Sequence, residues 1–252
     1  MQTAAALLFP DVLATSVTLP MEILQAASQL ASTRHRAQPQ VRTMLAGPDR
    51  RALRLASGVR LLPDITVDAL PALDLLILPA IWRNPMPTLR ASAPLLPLLR
   101  DYADSGTRIC SVGTSSYLLA EAGLLDGRPA TTHWHFFDRF RERYPQVKLK
   151  TRHLITQSDN IFCVGSVNTI ADLMVHIVED WFGSRVARAV ENQFSPDIRQ
   201  PFREAAWQDA PLTSHHDEAV FEVQQFLQDH LAEQLRVSDV AAQLGLSTRS
   251  LN

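Results

Sequence analysis

Three nucleophilic side chains, Cys110, Thr114 and Ser115, lie around a predicted strand-to-helix turn, where they could support covalent chemistry. A thiol at such a turn would be exposed, and the N-terminus of the following helix would stabilise a thiolate or an oxyanion. A hydroxyl nucleophile would instead need an adjacent base. Cys110 falls inside an apolar, strand-like run, so we predict a buried core residue rather than a reactive thiol. The hydroxyl alternative stays open at this stage.

The residues from Arg108 to Trp134 read RICSVGTSSYLLAEAGLLDGRPATTHW. This stretch resembles the signature of the PfpI/ThiJ superfamily (class I glutamine amidotransferase-like), in the branch that is fused to AraC-type DNA-binding domains. Weaker similarity extends over about residues 4–190. The resemblance implies an α/β domain with a cysteine nucleophile at the turn, but this sequence has Gly113 there. Glycine has no side chain and cannot be a nucleophile.

Two further departures from the superfamily pattern bear on catalysis. The acid that the resemblance implies near the start of the first helix corresponds to Ser16, and Glu22 lies further along as a predicted surface charge. The favoured Pro-Gly-Gly after the central strand is replaced by the sequence from Pro79 to Trp82, PAIW, which crowds a turn whose amides would form an oxyanion hole. We therefore expect no enzymatic activity and no catalytic residues.

A binding pocket remains possible, because ligands of open α/β sheets bind beyond the carboxyl ends of the strands. The residues that we predict to line it carry hydroxyls, an imidazole and an indole, or leave space, and they are Ser16, Trp82, Gly113, Thr114, Ser115 and His133. Such a lining suits a small polar effector. Two structural alternatives stay open: His133 and Trp134 could cap and pack the next helix, and Trp82 could be a surface or dimer-interface aromatic.

No metal or cofactor is expected. The histidines at positions 135, 215 and 216 have no partners at metal-ligand spacing, and the two cysteines form neither a disulfide framework nor a metal motif.

The elements that must position these residues alternate between strand and helix. Apolar runs predict strands over residues 4–9, 41–46, 73–79, 107–112, 153–157 and 161–165, with a hairpin at 52–62. Helical periodicity marks residues 19–30, 95–104, 115–123 and 170–182. This alternation predicts an α/β fold, a doubly wound, mostly parallel sheet with helices on both faces, followed by a short all-α helix-turn-helix segment. We predict a ligand-sensing domain over residues 1–193, a proline-containing linker over 194–213 and a partial helix-turn-helix domain over 214–252.

The C-terminal residues from Ser238 to Asn252, SDVAAQLGLSTRSLN, resemble the first helix-turn-helix of AraC regulators. Ala241 is small enough for two helices to cross closely, and Gly245 permits the turn between them. The resemblance implies that the recognition helix begins with the residues that would meet DNA, namely Ser247, Thr248, Arg249 and Ser250. An ordinary helical hairpin is the structural alternative.

Charge argues against tight DNA binding by these 252 residues alone. Residues 213–252 carry six acids and two bases, so their net charge is about −4, whereas phosphate neutralisation supplies most non-specific affinity. We therefore expect the sequence to stop within its DNA-binding module.

The leading functional hypothesis is a cytoplasmic, homodimeric transcription regulator that binds DNA and a small-molecule effector, with no membrane association. The alternatives are a PfpI-like hydrolase, hydratase or deglycase, and a non-catalytic partner-binding domain.

Overall fold

The fold is described for residues 1–32, 40–194, 206–208, 237, 238 and 240, in a computed structural model. The chain divides into two units, Met1–Asp209 and Ala210–Asn252. The account below concerns the first unit, which contains the candidate site.

Strands and helices alternate along this unit. The strands are β1 Gln2–Leu7, β2 Val41–Gly47, β3 Leu53–Arg54, β4 Arg60–Leu61, β5 Ile65–Thr66, β6 Leu75–Leu78, β7 Arg108–Val112, β8 Pro129–Ala130, β9 Lys148–Leu149, β10 Ile155–Ser158, β11 Ile161–Val164 and β12 Ala206–Gln208. The α-helices are α1 Ala14–Ser32, α2 Met86–Ala91, α3 Leu96–Asp104, α4 Ser116–Glu121, α5 Phe137–Arg143, α6 Ile170–Phe182 and α7 Ser184–Gln193. Short 3₁₀ turns occupy Val67–Ala69, Ala93–Leu95, Gly113–Ser115 and Trp134–Phe136.

One large sheet organises the unit, with the described strands in the order β12-β10-β11-β7-β6-β1-β2-β5. Its neighbours pair in parallel except β10 and β11, which form an antiparallel pair with Ile155 opposite Val164. The prediction of a mostly parallel α/β sheet is therefore confirmed. Strand β12 falls within residues 194–213, the segment predicted as a linker, and the domain boundaries themselves stay a prediction.

The direction of the crossovers places helices on both faces of the sheet. From β1 the chain crosses through α1 to β2 in one direction, and from β6 it crosses through α3 to β7 in the other. Because such crossovers are right-handed, opposite directions place their helices on opposite faces. Consistently, α1 packs with α6 and α7, whereas α3 packs with α4. The connections diverge between β1 and β6, the kind of switch point at which α/β proteins bind ligands.

Burial explains why these runs form central strands. All four residues of β6, LLIL, are buried, as are the last four of β7, which is the pattern of a parallel strand covered on both faces. Helix α6 buries one apolar stripe and stops where Gly183 takes a positive φ of 84°. In the described part of the chain, no helix is both long and apolar enough to cross a bilayer.

Candidate ligand-binding site

The turn after β7 has the geometry of a nucleophile position without a nucleophile. Gly113 adopts a φ of 54°, in the left-handed region that favours glycine. A Cβ built there would meet only ordinary contacts, the nearest being the Cβ atoms of Ala80 and His133 at 3.7 Å. Space for a side chain therefore exists, and the backbone angle would cost a non-glycine residue roughly 1–2 kcal/mol.

The turn after β6 lies beside Gly113, and its amides are already hydrogen-bonded. The Ser16 hydroxyl accepts a hydrogen bond from the Ala80 amide at 2.9 Å. The Thr114 hydroxyl accepts one from the Ile81 amide at 3.1 Å and donates to the Ile81 carbonyl at 2.7 Å. An oxyanion hole needs amide donors that are free to meet developing charge, and these two amides are not free.

The same turn is tied to the loop that leads into α1. The Trp82 amide donates to the Asp11 carbonyl at 2.7 Å, and the Leu13 amide donates to the Ala80 carbonyl at 2.9 Å. Arg83, the next residue, has a φ of 60°, an unusual value for a residue with a side chain. Three segments distant in sequence, the α1 entry, the β6 turn and the β7 turn, are thus joined by hydrogen bonds. We call this junction the floor of the site.

Two predicted lining residues belong to the floor rather than to a cavity wall. Ser16 is fully buried, and its hydroxyl donates to the Leu13 carbonyl at 2.6 Å while it accepts from Ala80. Ser115 is also fully buried, with its hydroxyl within 2.6 Å of the Leu78 carbonyl and accepting from the Val112 amide at 2.8 Å. Both side chains are occupied by backbone partners, which is why neither is presented to a ligand.

Above the floor lies an open cavity of about 540 Å³, within the range of small-molecule sites. Of the predicted residues, Trp82, Gly113, Thr114 and His133 line it. The remaining lining residues are Leu13, Ala80, Ile81, Arg83, Asn84, Trp134, His135, Phe136, Arg139, Ser166, Val167 and Asn168. The structure therefore brings four of the six predicted residues together around one space.

Two aromatic and two basic side chains form what we call the rim of the cavity: Trp82, Arg83, Trp134 and Arg139. The indoles are 49% and 69% exposed respectively, which is unusual for tryptophan. The Arg83 guanidinium lies 5.8 Å from the centre of the Trp82 ring, a cation–π distance. The described lining residues include no carboxylate, so the charged groups at the rim are positive.

His133 both caps a 3₁₀ turn and lines the cavity. Its Nδ1 accepts a hydrogen bond of 3.4 Å from the His135 amide and so caps the 3₁₀ turn Trp134–Phe136, while its ring lines the cavity. Burial, with a smaller contribution from nearby His135, lowers the pKa of His133 below its ordinary value. The imidazole is therefore mainly neutral at pH 7, and in the neutral form an accepting Nδ1 places the proton on Nε2.

The cysteines take no part in the site. Cys110 and Cys163 are both buried in strands, which confirms the prediction of a core cysteine at position 110. Burial raises the pKa of the Cys110 thiol well above its usual range and that of Cys163 to about 11. Neither thiol is a thiolate at neutral pH, so neither is activated as a nucleophile.

Several residues that were considered from the sequence lie outside the described part of the chain. Positions 247–250, predicted to meet DNA, fall outside it, as do the histidines at 215 and 216. Within the described residues, no group of three or more His, Cys, Asp or Glu side chains is placed to hold a metal ion.

Sequence reasoning missed the two arginines and the loop 166–168 of the lining. Arg139 lies in the short helix that follows the His-Trp-His stretch at 133–135. Its closeness in sequence to His133, which was predicted to line the pocket, could have indicated it. The residues at 166–168 follow β11, one of the strands whose carboxyl ends meet at this edge. The rule that ligands bind beyond the carboxyl ends of parallel strands would have selected residues 166–168.

Among curated proteins, the chain is similar to the HTH-type transcriptional regulator CdhR of Pseudomonas aeruginosa. The two are 34% identical over 140 residues, which cover 55% of this chain and 40% of the regulator. The chain thus spans well under half the length of that relative.

An enzyme is also among its relatives. The isonitrile hydratase of Pseudomonas putida is 26% identical over 205 residues, covering 81% of this chain and 83% of the hydratase. Both a regulator and an enzyme are therefore among the proteins that are similar to this chain.

Solved structures and a family model agree on the fold. An AraC family transcriptional regulator from Pseudomonas putida superimposes with a TM-score of 0.65 at 24% identity, over 77% of this chain and all of that one. Residues 2–180 match the model of the DJ-1/PfpI family, which confirms the resemblance drawn from residues 108–134. The chain belongs to the DJ-1/PfpI family.

Proposed function

We propose that this chain is a ligand-responsive, DNA-binding transcription regulator whose DJ-1/PfpI domain senses a small molecule without catalysing a reaction. The observation that carries the proposal is an open cavity above a floor whose nucleophile position is Gly113 and whose turn amides are hydrogen-bonded by Ser16 and Thr114. Similarity to the HTH-type regulator CdhR supports the same conclusion.

The absence of catalysis follows from four features of the site. No side chain stands at position 113, and Cys110 is buried inside β7. The Thr114 hydroxyl donates to the Ile81 carbonyl, and the Ser115 hydroxyl is held by Leu78, so neither is directed at a base. The acid position holds Ser16, which is itself bonded to the floor. The side chains that remain at the cavity are suited to binding a ligand and not to reacting with it.

Regulation would work through differential binding. An effector that binds one arrangement of the dimer more tightly than another shifts the population towards it. Paired recognition helices, with Arg249 and its neighbours at their start, would then meet the two half-sites of an operator at a different spacing. The proposal therefore includes a homodimer, DNA as partner and an effector in the cavity.

The test is a thermal-unfolding screen of small metabolites with the 252-residue chain, followed by calorimetric titration of every hit. We expect hits that bind once per chain and lose affinity in Val167→Trp, which fills the cavity from its lining. Val59→Trp, at the exposed hairpin, is the matched control and should bind normally. Gel shifts of the protein with the DNA upstream of its gene, with and without the hit, test the DNA-binding part of the proposal. Binding of no compound at the cavity, or no effect of any hit on DNA binding, would contradict the proposal.

The second candidate is a hydratase or related enzyme, favoured by the similarity to isonitrile hydratase. Thiol labelling shows whether a cysteine is accessible at the site, and a turnover assay then separates the two candidate functions. The native chain should label at neither cysteine, whereas Gly113→Cys should label once, because a side chain at 113 has space and faces the cavity. Turnover of isonitriles or dicarbonyls by the native chain would support the enzyme and contradict the proposal of a non-catalytic sensor.

A further inference from the structure

We infer that the cavity selects a small organic monoanion with an apolar body, using Arg83 and Arg139 as its charge partners. This inference rests on the proposed function, in that it takes the cavity to be the effector site, and it adds the chemical class of the effector.

Charge at the cavity has one sign. Arg83 and Arg139 are the full charges among its described lining residues, and no Asp or Glu stands against them. A cleft lined by one sign of charge concentrates ligands of the opposite sign. His133 adds no positive charge at pH 7, because burial lowers its pKa, so the selectivity comes from the arginines.

Helix α5 offers an internal comparison for Arg139. The two arginines that follow it on the helix are paired: Arg141 with Asp138 at 2.9 Å and Arg143 with Glu121 at 3.1 Å. Arg139, which lines the cavity, forms no ion pair with any residue that the structure describes. Its guanidinium is available for a carboxylate, for which its fork of donors is suited.

The apolar lining of the cavity determines which group should be attached to the carboxylate. Most of the lining surface of the cavity is apolar, and its apolar residues include Leu13, Ala80, Ile81, Phe136 and Val167, beside the polar Thr114, His133, Ser166 and Asn168. The exposed faces of Trp82 and Trp134 extend this apolar surface to the opening. An alkyl or aryl group would be buried there favourably, whereas a strongly hydrated inorganic ion would lose water without replacement. A carboxylate attached to a compact apolar group satisfies both parts of the site.

The test compares carboxylates with amides of the same shape. The probes are phenylacetate, 3-phenylpropanoate and 3-methylbutanoate, each with its primary amide, together with phenethylamine and acetate. Titration of the 252-residue chain should show at least one carboxylate binding about tenfold or more tightly than its amide, because a charged hydrogen bond to arginine is lost. Phenethylamine and acetate should bind more weakly still, since one has the wrong charge and the other lacks the apolar body.

Variants locate the effect. Arg139→Gln and Arg83→Gln should each lower the affinity of the preferred carboxylate and bring it within about twofold of its amide, while Arg141→Gln should leave both unchanged. Circular dichroism checks that each variant is folded. If amides or the amine bind as well as the carboxylates, charge selection is wrong but the cavity is still a ligand site. If no probe of any charge binds and the metabolite screen also finds nothing, both the inference and the proposed function fail.

Discussion

The floor and the rim of the cavity differ in what their polar groups do. On the floor, the hydroxyls of Ser16, Thr114 and Ser115 are buried and hydrogen-bonded to backbone groups. On the rim, Trp82 is about half exposed and Trp134 mostly exposed, and Arg139 has no ion pair among the described residues. Polar side chains near a site are therefore not equivalent: those on the floor are hydrogen-bonded to the backbone, and those on the rim are exposed to solvent.

The largest loss of stability in this comparison of floor and rim is expected for a substitution of Thr114. Thr114→Val keeps the shape but removes the partner of both the amide and the carbonyl of Ile81, and each buried group left without a partner costs about 1–3 kcal/mol. Thr114→Ser keeps the hydroxyl and is the matched control. Urea unfolding should show a clear loss of stability for the valine variant only. Equal stability of the two variants would mean that the floor bonds contribute little.

A smaller loss is expected at Ser16. Ser16→Ala leaves the Ala80 amide without its partner, whereas the Leu13 carbonyl keeps the hydrogen bond from the Ser16 backbone amide at 3.1 Å. The cost should therefore be that of one buried group, about 1–3 kcal/mol. Ser57→Ala, at an exposed turn position, is the control and should unfold like the parent chain. Thermal unfolding measures both. If Ser16→Ala were as stable as the control, the hydrogen bond between Ser16 and Ala80 would contribute little to the stability of the floor.

At the rim, the loss of stability should be smaller than at the floor. Trp82→Ala removes a half-exposed ring whose main described partner is the Arg83 guanidinium, an exposed cation–π contact of about 0.5–1 kcal/mol. Its unfolding midpoint in urea should lie near that of the parent chain, while effector affinity falls. A loss as large as that of Thr114→Val would remove the distinction between the two regions.

The smallest effect should be a pH dependence from His133, which lies between floor and rim. Its folded pKa is lowered by burial, so below the unfolded value of about 6.5 the unfolded chain binds a proton that the folded chain does not. Stability is therefore lost as pH falls from about 6.5 towards the folded pKa, and the loss levels off below it. Urea midpoints between pH 7.5 and 5 should show this for the parent chain, and His133→Gln should reduce it. An unchanged slope in the variant would assign the dependence to other groups.

Sequence patterns predicted the central elements well and the peripheral ones poorly. The strands at residues 75–78 and 108–112 and the helix Ile170–Phe182 were recognisable because continuous burial or one apolar stripe determines their composition. Helix α7 was missed because it buries only Ala187 and Val190 within a polar sequence. Helices α2 and α5 were missed because, at six and seven residues, they are too short to show a helical period.

The site was predictable in position but not in detail. Strand ends identify Trp82, Gly113 and His133, because parallel strands deliver their loops to one edge. Which hydroxyls face inward depends on hydrogen bonds such as that between Ser16 and Ala80, which join residues 64 positions apart. No local pattern contains that pairing, so Ser16 and Ser115 could not be separated from Thr114 beforehand.

The joined floor also limits the paths by which this domain could change over evolutionary time. Covalent catalysis of the kind that the PfpI/ThiJ resemblance implies would need a thiol at 113, an acid at 16 and free amides at 80 and 81. An acid at 16 would have to replace the Ser16 hydroxyl as the acceptor of the Ala80 amide, and freeing the Ile81 amide would require the loss of the Thr114 hydroxyl. A thiol at 113 would adopt a positive φ, and the freed Ile81 amide would lose its partner, so each of these two changes would lower the stability of the fold. The hydrogen bonds of the floor are therefore a stability barrier to the acquisition of a covalent site at this turn.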